Sequence, residues 1–437
     1  MGDTQEKPLK VVITTMLGIG HLNACMGIGS LLSKRGHDVY FAHYSRFRSL
    51  IETNGMKFIS LTDHQDEVHK IPEELPVNEN FFKAMLDRAK TFSPLELVKD
   101  EKVSVFSGFI TLLDASKGEN YAMLNIIEEI KPDICLADYL WVMPWMVKAN
   151  IPVVPIMSAA PNELYNGPPF MSGYSVNDPP ELWEEYRNLA QKAGEEFVEK
   201  SKELFDYFGV DYVDKTHAKQ LGIYIYPEPL DYKEFGPPKK NWIRLDSSIR
   251  LIESSEFKIP EKIADKPGKL IYVSMGTLAS MVPEMMNMIL EPLSSLPHRF
   301  IVSTGPNGEQ VKLSDNMWGD KFINQVAILP HVDLFITHGG SNSLIEGLTA
   351  GKPFIVIPQF GDQLNNGQRV VDLKLGTKIN LWEFSGDKLI KAIDYVLNND
   401  EIQTNVKKVS EQLKKSDSSE KVCSAIETLA RTKTSSV

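Results

Sequence analysis

The residues with the clearest chemical potential lie between positions 322 and 363. His338, two glycines and a Ser-Asn-Ser run follow directly after the short apolar run 334–337. This order predicts a strand, a glycine turn and a helix start. Free N–H groups at a helix start, with the positive end of the helix dipole, attract phosphate without a lysine. Lys352 is the only basic side chain between His338 and the end of the stretch. The stretch therefore predicts a site for the diphosphate of a nucleotide.

Carboxylate and amide side chains extend this predicted site. Glu346 falls on the first turns of the predicted helix, where its carboxylate can accept from both hydroxyls of a ribose. Asp362 and Gln363 follow a second predicted strand at 354–357 and so reach the carboxyl edge of the sheet, where open α/β folds bind ligands. Taken singly, each feature has an ordinary explanation: a Gly-Gly turn is commonly only a turn, a lone histidine is commonly structural, and a lone helix glutamate is commonly solvated. Their order and spacing favour a binding site.

The elements that must position these residues form a unit that occurs twice. In each half a β-rich run leads into a glycine turn, a helical pattern and a second strand. Two doubly wound α/β domains are therefore predicted. The elements are strand 10–15, helix 22–34 and strand 38–43 in the first half, and strand 270–274, the turn Met275-Gly276-Thr277, helix 283–293 and strand 299–303 in the second.

Proline-rich and polar segments suggest where the domains divide. We expect an N-terminal domain over 1–245, a linker over 246–268 and a C-terminal domain over 269–415. A helical run in the tail 416–437 is expected to cross back to the first domain.

The stretch 322–363 resembles the signature of the family 1 UDP-dependent glycosyltransferases. That pattern runs W-x-P-Q, then H-x-G-x-N-S-x-x-E, then D/E-Q, and here its parts stand as Phe322–Gln325, His338–Glu346 and Asp362-Gln363. Phe322 replaces the usual tryptophan but keeps an aromatic face. Ser341 replaces the tryptophan that plant members carry, which separates this chain from the plant subgroup.

The resemblance implies the GT-B fold, in which two Rossmann-like domains face each other across a cleft, and it implies a role for each matched residue. Phe322 would stack on uracil, and Glu346 would hold the ribose. Asp362 and Gln363 would hold hydroxyls of the transferred sugar. The pyrophosphate would be contacted by His338, Asn342, Ser343 and Thr277, and the remaining donor-site positions are Gly276, Ile323, Gln325, Gly340 and Ser341.

A further candidate follows the first predicted strand. Gly18-Ile19-Gly20 suggests a dinucleotide site, but Asn23 stands where a third glycine is due and the second strand ends in His43 instead of an acid. The turn does place His21 at the carboxyl edge of the sheet. An isolated histidine there is more often structural than catalytic.

Asp138 ends another short predicted strand, 134–137, and can be a simple helix cap. Because Asp138 and His21 both end strands of one parallel sheet, they can also meet at the same edge. The resemblance supplies the second interpretation: Gly20-His21-Leu22-Asn23-Ala24 is similar to the segment that holds the family's catalytic histidine, and Asp138 to its partner aspartate.

Composition limits the partners. The chain has 437 residues and a formal net charge of −11, which argues against nucleic acid and anionic membrane surfaces. The polar N-terminus, the lack of a membrane-spanning apolar run, three scattered cysteines and no glycosylation sequon lead us to expect a cytoplasmic protein. We expect no metal and no cofactor beyond the UDP-sugar donor, and a monomer.

The expected activity is inverting transfer of a hexose, most simply glucose, from a UDP-sugar to a hydroxyl of a small lipophilic acceptor such as a flavonoid, another phenolic or a xenobiotic. The nearest resemblance is to the soluble macrolide-type subgroup, which includes bacterial and plant-feeding mite detoxification enzymes. Methionine and aromatic residues over 81–109 and 141–174 suit a pocket for flat lipophilic molecules. Two alternatives stay open: a sugar-nucleotide epimerase of similar architecture, and a non-catalytic sugar-nucleotide-binding subunit.

Overall fold

Two parallel β-sheets organise the chain in the computed structural model, which describes residues 7–72, 79–100, 105–249 and 257–434. The first sheet has the strand order β3-β2-β1-β4-β5-β6-β7. Its strands are β1 (Lys10–Thr15), β2 (Asp38–His43), β3 (Lys57–Ser60), β4 (Ile134–Asp138), β5 (Val153–Met157), β6 (Gly222–Ile225) and β7 (Trp242–Leu245).

Helices cover both faces of this sheet, as parallel strands require. Side chains of residues 79–82 and 105–107 lie outside the described part of the chain, so the predicted aromatic lining is described there only in part. The helices are α1 (Ile19–Lys34), α2 (Arg48–Thr53), α3 (Leu61–His64), α4 (Glu79–Ala89), α5 (Pro94–Lys99), α6 (Val105–Ala115), α7 (Lys117–Ile130), α8 (Pro144–Lys148), α9 (Pro180–Ala193) and α10 (Glu195–Phe208).

The second sheet has the order β10-β9-β8-β11-β12-β13 and repeats the inner arrangement of the first. Its strands are β8 (Leu270–Ser274), β9 (Arg299–Ser303), β10 (Met317–Asp320), β11 (Leu334–Thr337), β12 (Phe354–Val356) and β13 (Gly376–Lys378). The helices of this half are α11 (Glu261–Ala264), α12 (Gly276–Ala279), α13 (Pro283–Leu290), α14 (Gln325–Ile328), α15 (Ser341–Thr349), α16 (Asp362–Asp372), α17 (Gly386–Leu397), α18 (Asp400–Lys414) and α19 (Ser418–Thr434).

Each sheet reverses its winding direction once, between β1 and β4 in the first and between β8 and β11 in the second. In register, Thr15 pairs with Asp138 and Ser274 with Thr337. Such switch points leave a crevice at the carboxyl ends of the strands, where ligands bind in open α/β sheets. The fold therefore places one crevice beside His21 and the other beside His338.

The core explains why these strands form. β1, β4, β8 and β11 are buried along nearly their whole length, as expected for central parallel strands covered on both faces. Neighbouring residues of one strand enter different clusters: Val11 and Ile13 pack on one face of the first sheet and Val12 on the other. At about 25 cal/mol per Å² of apolar surface, this burial is the main favourable term for folding.

The prediction of two doubly wound α/β domains is confirmed, and several strand bounds are as predicted. Some element ends differ. α1 begins at Ile19, so His21 lies in the first helical turn and not in the preceding loop. The turn predicted at 275–277 contains the start of α12. The helix predicted over 283–293 is α-helical only to Leu290 and continues as a 3-10 helix, because Pro292 has no N–H to donate.

The two halves are held together by direct contacts. α19 packs against α1 and β7, where Arg35 donates to Glu427 at 2.7 Å and to Glu420 at 2.7 Å. The apolar residues Val422 and Ile426 of α19 join the core of the first sheet. The segment expected to link the domains is described only at its two ends, since residues 250–256 lie outside the described ranges.

Candidate active site

His21 and Asp138 meet at the switch point of the first sheet. His21 Nδ1 lies 2.9 Å from Asp138 Oδ2, and their side chains are 19% and 2% exposed. Asp138 is the last residue of β4, and its carbonyl accepts from Met16 N just after β1. The strand pairing therefore fixes the carboxylate, and the first turn of α1 brings the imidazole to it. Nε2 is the ring nitrogen left for a proton from another molecule.

The surroundings of this pair raise the basicity of His21. Burial alone lowers the pKa of an imidazole, but here the charge and hydrogen bond of Asp138, together with the charge of Asp362, outweigh it and raise the pKa above 6.5. Asp362 belongs to the second domain, so the basicity of His21 depends in part on how the two domains meet.

Two neighbours of the pair were missed in the sequence. Ser158 Oγ lies 3.0 Å from His21 Nδ1, and Cys25 Sγ lies 3.9 Å from Asp138 Oδ2. Ser158 follows β5, the strand beside β4, so its place at the carboxyl edge of the sheet was the available signal. Burial raises the pKa of the Cys25 thiol well above its usual range, which makes this thiol a neutral packing group.

A pocket opens beside His21. Its cavity volume is about 30 Å³, within a recess of about 510 Å³ that includes space open to solvent. Its walls are mostly aromatic and aliphatic, with His21, Asp138 and Ser158 at one part of the lining. The aromatic and aliphatic lining residues include Trp141, Met146, Pro155, Met157, Phe170 and Trp242.

The second switch point surrounds His338 with glycines. A Cβ atom at Gly276 would lie 2.6 Å from the His338 ring, and one at Gly340 would lie 2.5 Å from it. Gly276 and Gly339 also have φ of +72° and +86°, which side chains other than glycine rarely adopt. Burial lowers the pKa of His338 to about 4. The imidazole is therefore neutral at pH 7 and can donate or accept without adding charge.

α15 begins beside this histidine, and its first residues are tied to α16. Ser341 Oγ donates to Asp362 Oδ2 at 2.7 Å. Asn366 Nδ2, also missed in the sequence, donates to Gly339 O at 2.9 Å and lies 3.2 Å from both Ser341 Oγ and Asp362 Oδ2. Burial raises the pKa of Asp362, against the opposing effects of Ser341, His21 and a hydrogen bond from the Ala160 backbone.

Asn342 reaches across the cleft. Its Nδ2 donates to Gly20 O at 2.6 Å, directly before His21. In this structure the side chain therefore contacts the first domain, and a phosphate contact from Asn342 stays a prediction.

Glu346 and Ser343 share one partner. Gln325 Nε2 donates to Glu346 Oε2 at 2.7 Å and to Ser343 Oγ at 3.2 Å. Glu346 is 7% exposed. The structure thus brings together three of the residues predicted for the donor site, with a carboxylate held in a fixed position.

The outer donor-site residues differ in exposure. Phe322 is 78% exposed, so its ring face is open to a flat partner, whereas Ile323 packs against the core of the second domain. Thr277 is exposed. Gln363 Oε1 accepts from Gln359 N at 3.0 Å and from Phe360 N at 3.4 Å, which leaves its amide Nε2 as the group that can donate to a ligand.

Other functional features are limited within the described residues. In residues 7–72, 79–100, 105–249 and 257–434, no three His, Cys, Asp or Glu side chains are grouped so that they could hold a metal ion. Over the same part of the chain no helix is long and apolar enough to cross a membrane.

The two crevices face each other: Asn342 and Asp362 of the second domain contact Gly20 and Ala160 of the first. Half-buried His21, paired with buried Asp138, stands beside an apolar pocket and opposite a glycine-rich helix start suited to a diphosphate. This combination defines a two-domain glycosyltransferase of the GT-B class.

Comparison with known proteins narrows the class. The family described as UDP-glucoronosyl and UDP-glucosyl transferase matches residues 264–420. An uncharacterized UDP-glucosyltransferase, YdhE of Bacillus subtilis (strain 168), is 24% identical over 434 residues, which span 97% of this chain and 99% of the relative. The NDP-glycosyltransferase YjiC of the same organism is 24% identical, over 93% of this chain and 94% of the relative.

Among solved structures, the glycotransferase of kitacinnamycin superposes with a TM-score of 0.69 at 17% identity, covering 97% of this chain and all of that one. This likeness supports the GT-B fold. The family match over residues 264–420 and the two bacterial relatives make the chain similar to the family 1 UDP-dependent glycosyltransferases, enzymes that take their sugar from a UDP-sugar.

Proposed function

We propose that this enzyme transfers glucose from UDP-glucose to a hydroxyl of a small lipophilic acceptor, such as a flavonoid, another phenolic or a xenobiotic, with inversion at the anomeric carbon. The observation that carries the proposal is the His21–Asp138 pair at the wall of an apolar pocket, 2.9 Å from nitrogen to oxygen. The acceptor would lie in this pocket, and the donor would lie along the start of α15.

The pair supplies a base for the transfer. Neutral His21 donates its Nδ1–H to the Asp138 carboxylate and takes the acceptor's hydroxyl proton at Nε2. The acceptor oxygen attacks the anomeric carbon while the bond from that carbon to the phosphate oxygen breaks, and UDP leaves with the electron pair. Asp138 orients the imidazole and stabilises the imidazolium that forms, as in other Asp-His pairs. General-base assistance of this kind contributes roughly a hundred- to ten-thousandfold.

The donor site would follow the family's assignments. Phe322 would stack on uracil, with Ile323 and Gln325 beside the base, and Glu346 would accept from the ribose hydroxyls. The N–H groups at Ser341, Asn342 and Ser343 would face the diphosphate together with His338, Gly340, Gly276 and Thr277. The support is local: the only basic side chain in this stretch, Lys352, donates instead to Pro330 O at 3.0 Å, and a helix start binds anions without one.

Sugar choice would rest on Asp362 and Gln363. In relatives a glutamine at the end of this motif goes with glucose, and here Gln363 presents an amide donor at the start of α16.

Residues 1–245 would bind the acceptor and residues 269–415 the donor, with 246–268 as the linker and 416–437 as the return to the first domain. The macrolide-type subgroup, a cytoplasmic monomer and a role in detoxification belong to the same proposal.

One incubation tests the activity. The protein is mixed with UDP-glucose and a library of phenols, and UDP release is followed together with product mass. Glucosylated phenol with matching UDP release supports the proposal. Conversion of a UDP-sugar to its epimer without an acceptor would indicate an epimerase, and UDP binding with no turnover on any acceptor would indicate a binding subunit. A higher kcat/KM for UDP-galactose or UDP-glucuronate would overturn the choice of glucose.

A further inference from the structure

An ion pair lies in the wall of the pocket, and the transfer chemistry does not use it. Lys215 Nζ lies 2.5 Å from Glu163 Oε2, and the side chains are 27% and 32% exposed. Both residues line the same pocket as His21. An ammonium has three donors and a carboxylate has two acceptor oxygens. The pair therefore retains hydrogen-bonding capacity for a molecule in the pocket.

Both charged groups are carried on ordered turns. Glu163 lies in the 3-10 helix Asn162–Leu164, which follows β5. Lys215 lies in a turn braced by its neighbours, because Thr216 N and Oγ1 donate to Asp214 Oδ1 at 2.9 and 2.6 Å. Trp242 Nε1 donates to Thr216 O at 2.8 Å. The backbone positions that carry the pair are thus held in ordered turns, and the two charged groups meet at 2.5 Å.

The rest of the lining near the pair is apolar. Lys215 Nζ lies 5.1 Å from the centre of the Phe170 ring, and Phe170 and Trp242 both line the pocket. When an apolar acceptor displaces water from such a wall, the pair loses hydration that only another polar group can replace. An acceptor that presents only hydrocarbon to the ion pair would therefore lose binding free energy. An acceptor with an oxygen at that place would not.

The charges of the pocket lining determine which oxygen-containing group of an acceptor can bind beside the ion pair. Among its lining residues, the carboxylates of Asp138 and Glu163 face the single permanent cation of Lys215, and His21 must be neutral to act as a base. An anionic group would meet excess negative charge. A hydroxyl can accept from Lys215 and donate to Glu163, and a carbonyl can accept from Lys215.

We propose that Lys215 and Glu163 form a polar subsite that selects acceptors with a second, neutral oxygen apart from the hydroxyl that receives the sugar. This inference rests on the proposed function and names the acceptor class for it. Substrates would be flat molecules with two separated polar ends, such as diphenols or phenols with a ring carbonyl.

Three acceptors with one skeleton test the subsite: dihydroxybiphenyl, monohydroxybiphenyl and hydroxybiphenyl carboxylic acid. After correction for its two equivalent hydroxyls, the diol should exceed the monohydroxy compound in kcat/KM by about tenfold in the wild type, because loss of a paired oxygen leaves buried polar groups unmatched. Lys215→Met should bring that ratio close to one. Glu163→Gln removes one of the two carboxylates that face Lys215, so the negative charge no longer exceeds the positive charge in the pocket lining, and the variant should raise the relative kcat/KM of the carboxylic acid about tenfold.

Lys219→Met is the matched control, because this lysine lies on the same loop and is exposed; it should leave all three ratios unchanged. Turnover of the monohydroxy compound reports whether each variant is folded. Ratios that stay at wild-type values in both Lys215→Met and Glu163→Gln would overturn the subsite.

Failure of the proposed function would look different. If none of the three compounds is glucosylated, their dissociation constants can still be measured by quenching of tryptophan fluorescence, since Trp141 and Trp242 line the pocket. The same order of affinities, changed in the same directions by the two variants, would support the subsite without the reaction. Equal affinities throughout would reject it.

Discussion

His21 is the residue whose replacement should affect the rate of transfer most. Replacing His21 with alanine removes the proposed base but no group of the donor site, so kcat should fall by roughly a hundred- to ten-thousandfold while UDP affinity stays near the wild-type value. Single-turnover rates and calorimetric titration with UDP separate the two effects. His331→Ala, at an exposed histidine, is the control. Near-normal turnover of His21→Ala on a phenol would mean that the base lies elsewhere.

The pH dependence of the rate tests the Asp138 partner. Because only neutral His21 can accept a proton, kcat should fall as the pH drops through a pKa that Asp138 and Asp362 raise above 6.5. Asp138→Asn removes one of these charges and its acceptor. We expect a smaller loss of kcat than in His21→Ala, with the acidic limb displaced to lower pH. An acidic limb at the wild-type position would contradict the pairing as the cause of the raised pKa.

Glu346 makes a prediction about binding alone. Glu346 is 7% exposed and its carboxylate accepts from Gln325 Nε2 at 2.7 Å, so it is preorganised to accept from a ribose. Glu346→Ala should weaken UDP binding about tenfold to a hundredfold, the range expected for hydrogen bonds to a charged group. Calorimetric titration measures it, with Glu411→Ala on the exposed face of α18 as the control. Unchanged affinity would remove the ribose assignment.

At the scale of elements, α16 is the main polar connection between the halves. Along this helix Asn365 Oδ1 accepts from Met171 N at 2.7 Å, and Asp372 Oδ1 accepts from Ser175 Oγ at 2.7 Å. Arg369 Nε and Nη2 donate to the carbonyls of Leu230 and Asp231, both at 2.7 Å. The helix that begins with the proposed sugar-binding residues is therefore anchored on the first domain along its length.

Arg369 tests that anchoring. It is 3% exposed, and its removal leaves buried carbonyls without donors, which costs about 1–3 kcal/mol for each group left unpaired. We expect Arg369→Ala to lower the melting temperature by several degrees. Arg48→Ala should have little effect, since that arginine is 53% exposed in a helix-surface pair with Glu52. Equal melting temperatures for the two variants would show that α16 does not couple the domains. Differential scanning calorimetry gives both values.

The elements show what the sequence could predict. Strands such as 10–15 and 270–274 were predictable to the residue, because each is a short apolar run that a turn with glycine follows within three residues. The meeting of His21 and Asp138 followed from their places at one edge of a parallel sheet, although His21 lies in the first turn of α1 after β1 and only Asp138 ends a strand. By contrast, Ser158, Asn366 and Arg369 act through contacts more than a hundred residues away in the chain or across the cleft, and no local pattern marks such partners.

The molecule as a whole is acidic, and its negative charge opposes the binding of an anionic donor. With a formal net charge of −11, the protein repels a diphosphate at long range, so attraction has to come from local groups. The start of α15 provides N–H donors and the positive end of a helix dipole beside a neutral His338. A salt-bridged phosphate site would instead need a lysine or arginine in this stretch, and Lys352 is engaged elsewhere.

Metal independence is the prediction that follows at this scale. Nowhere in the sequence do two aspartates stand two positions apart, so the Asp-x-Asp clamp by which the other large glycosyltransferase fold binds a cation is missing, and the helix start is expected to stabilise the departing diphosphate instead. The rate of glucosyl transfer should be the same before and after exhaustive treatment with EDTA, and added magnesium or manganese should not increase it. As a control, UDP affinity is measured under the same EDTA and metal conditions. This measurement separates an effect on affinity from an effect on the chemical step. Loss of activity on chelation, restored by manganese or magnesium, would show that backbone N–H groups alone do not offset the charge on the leaving group.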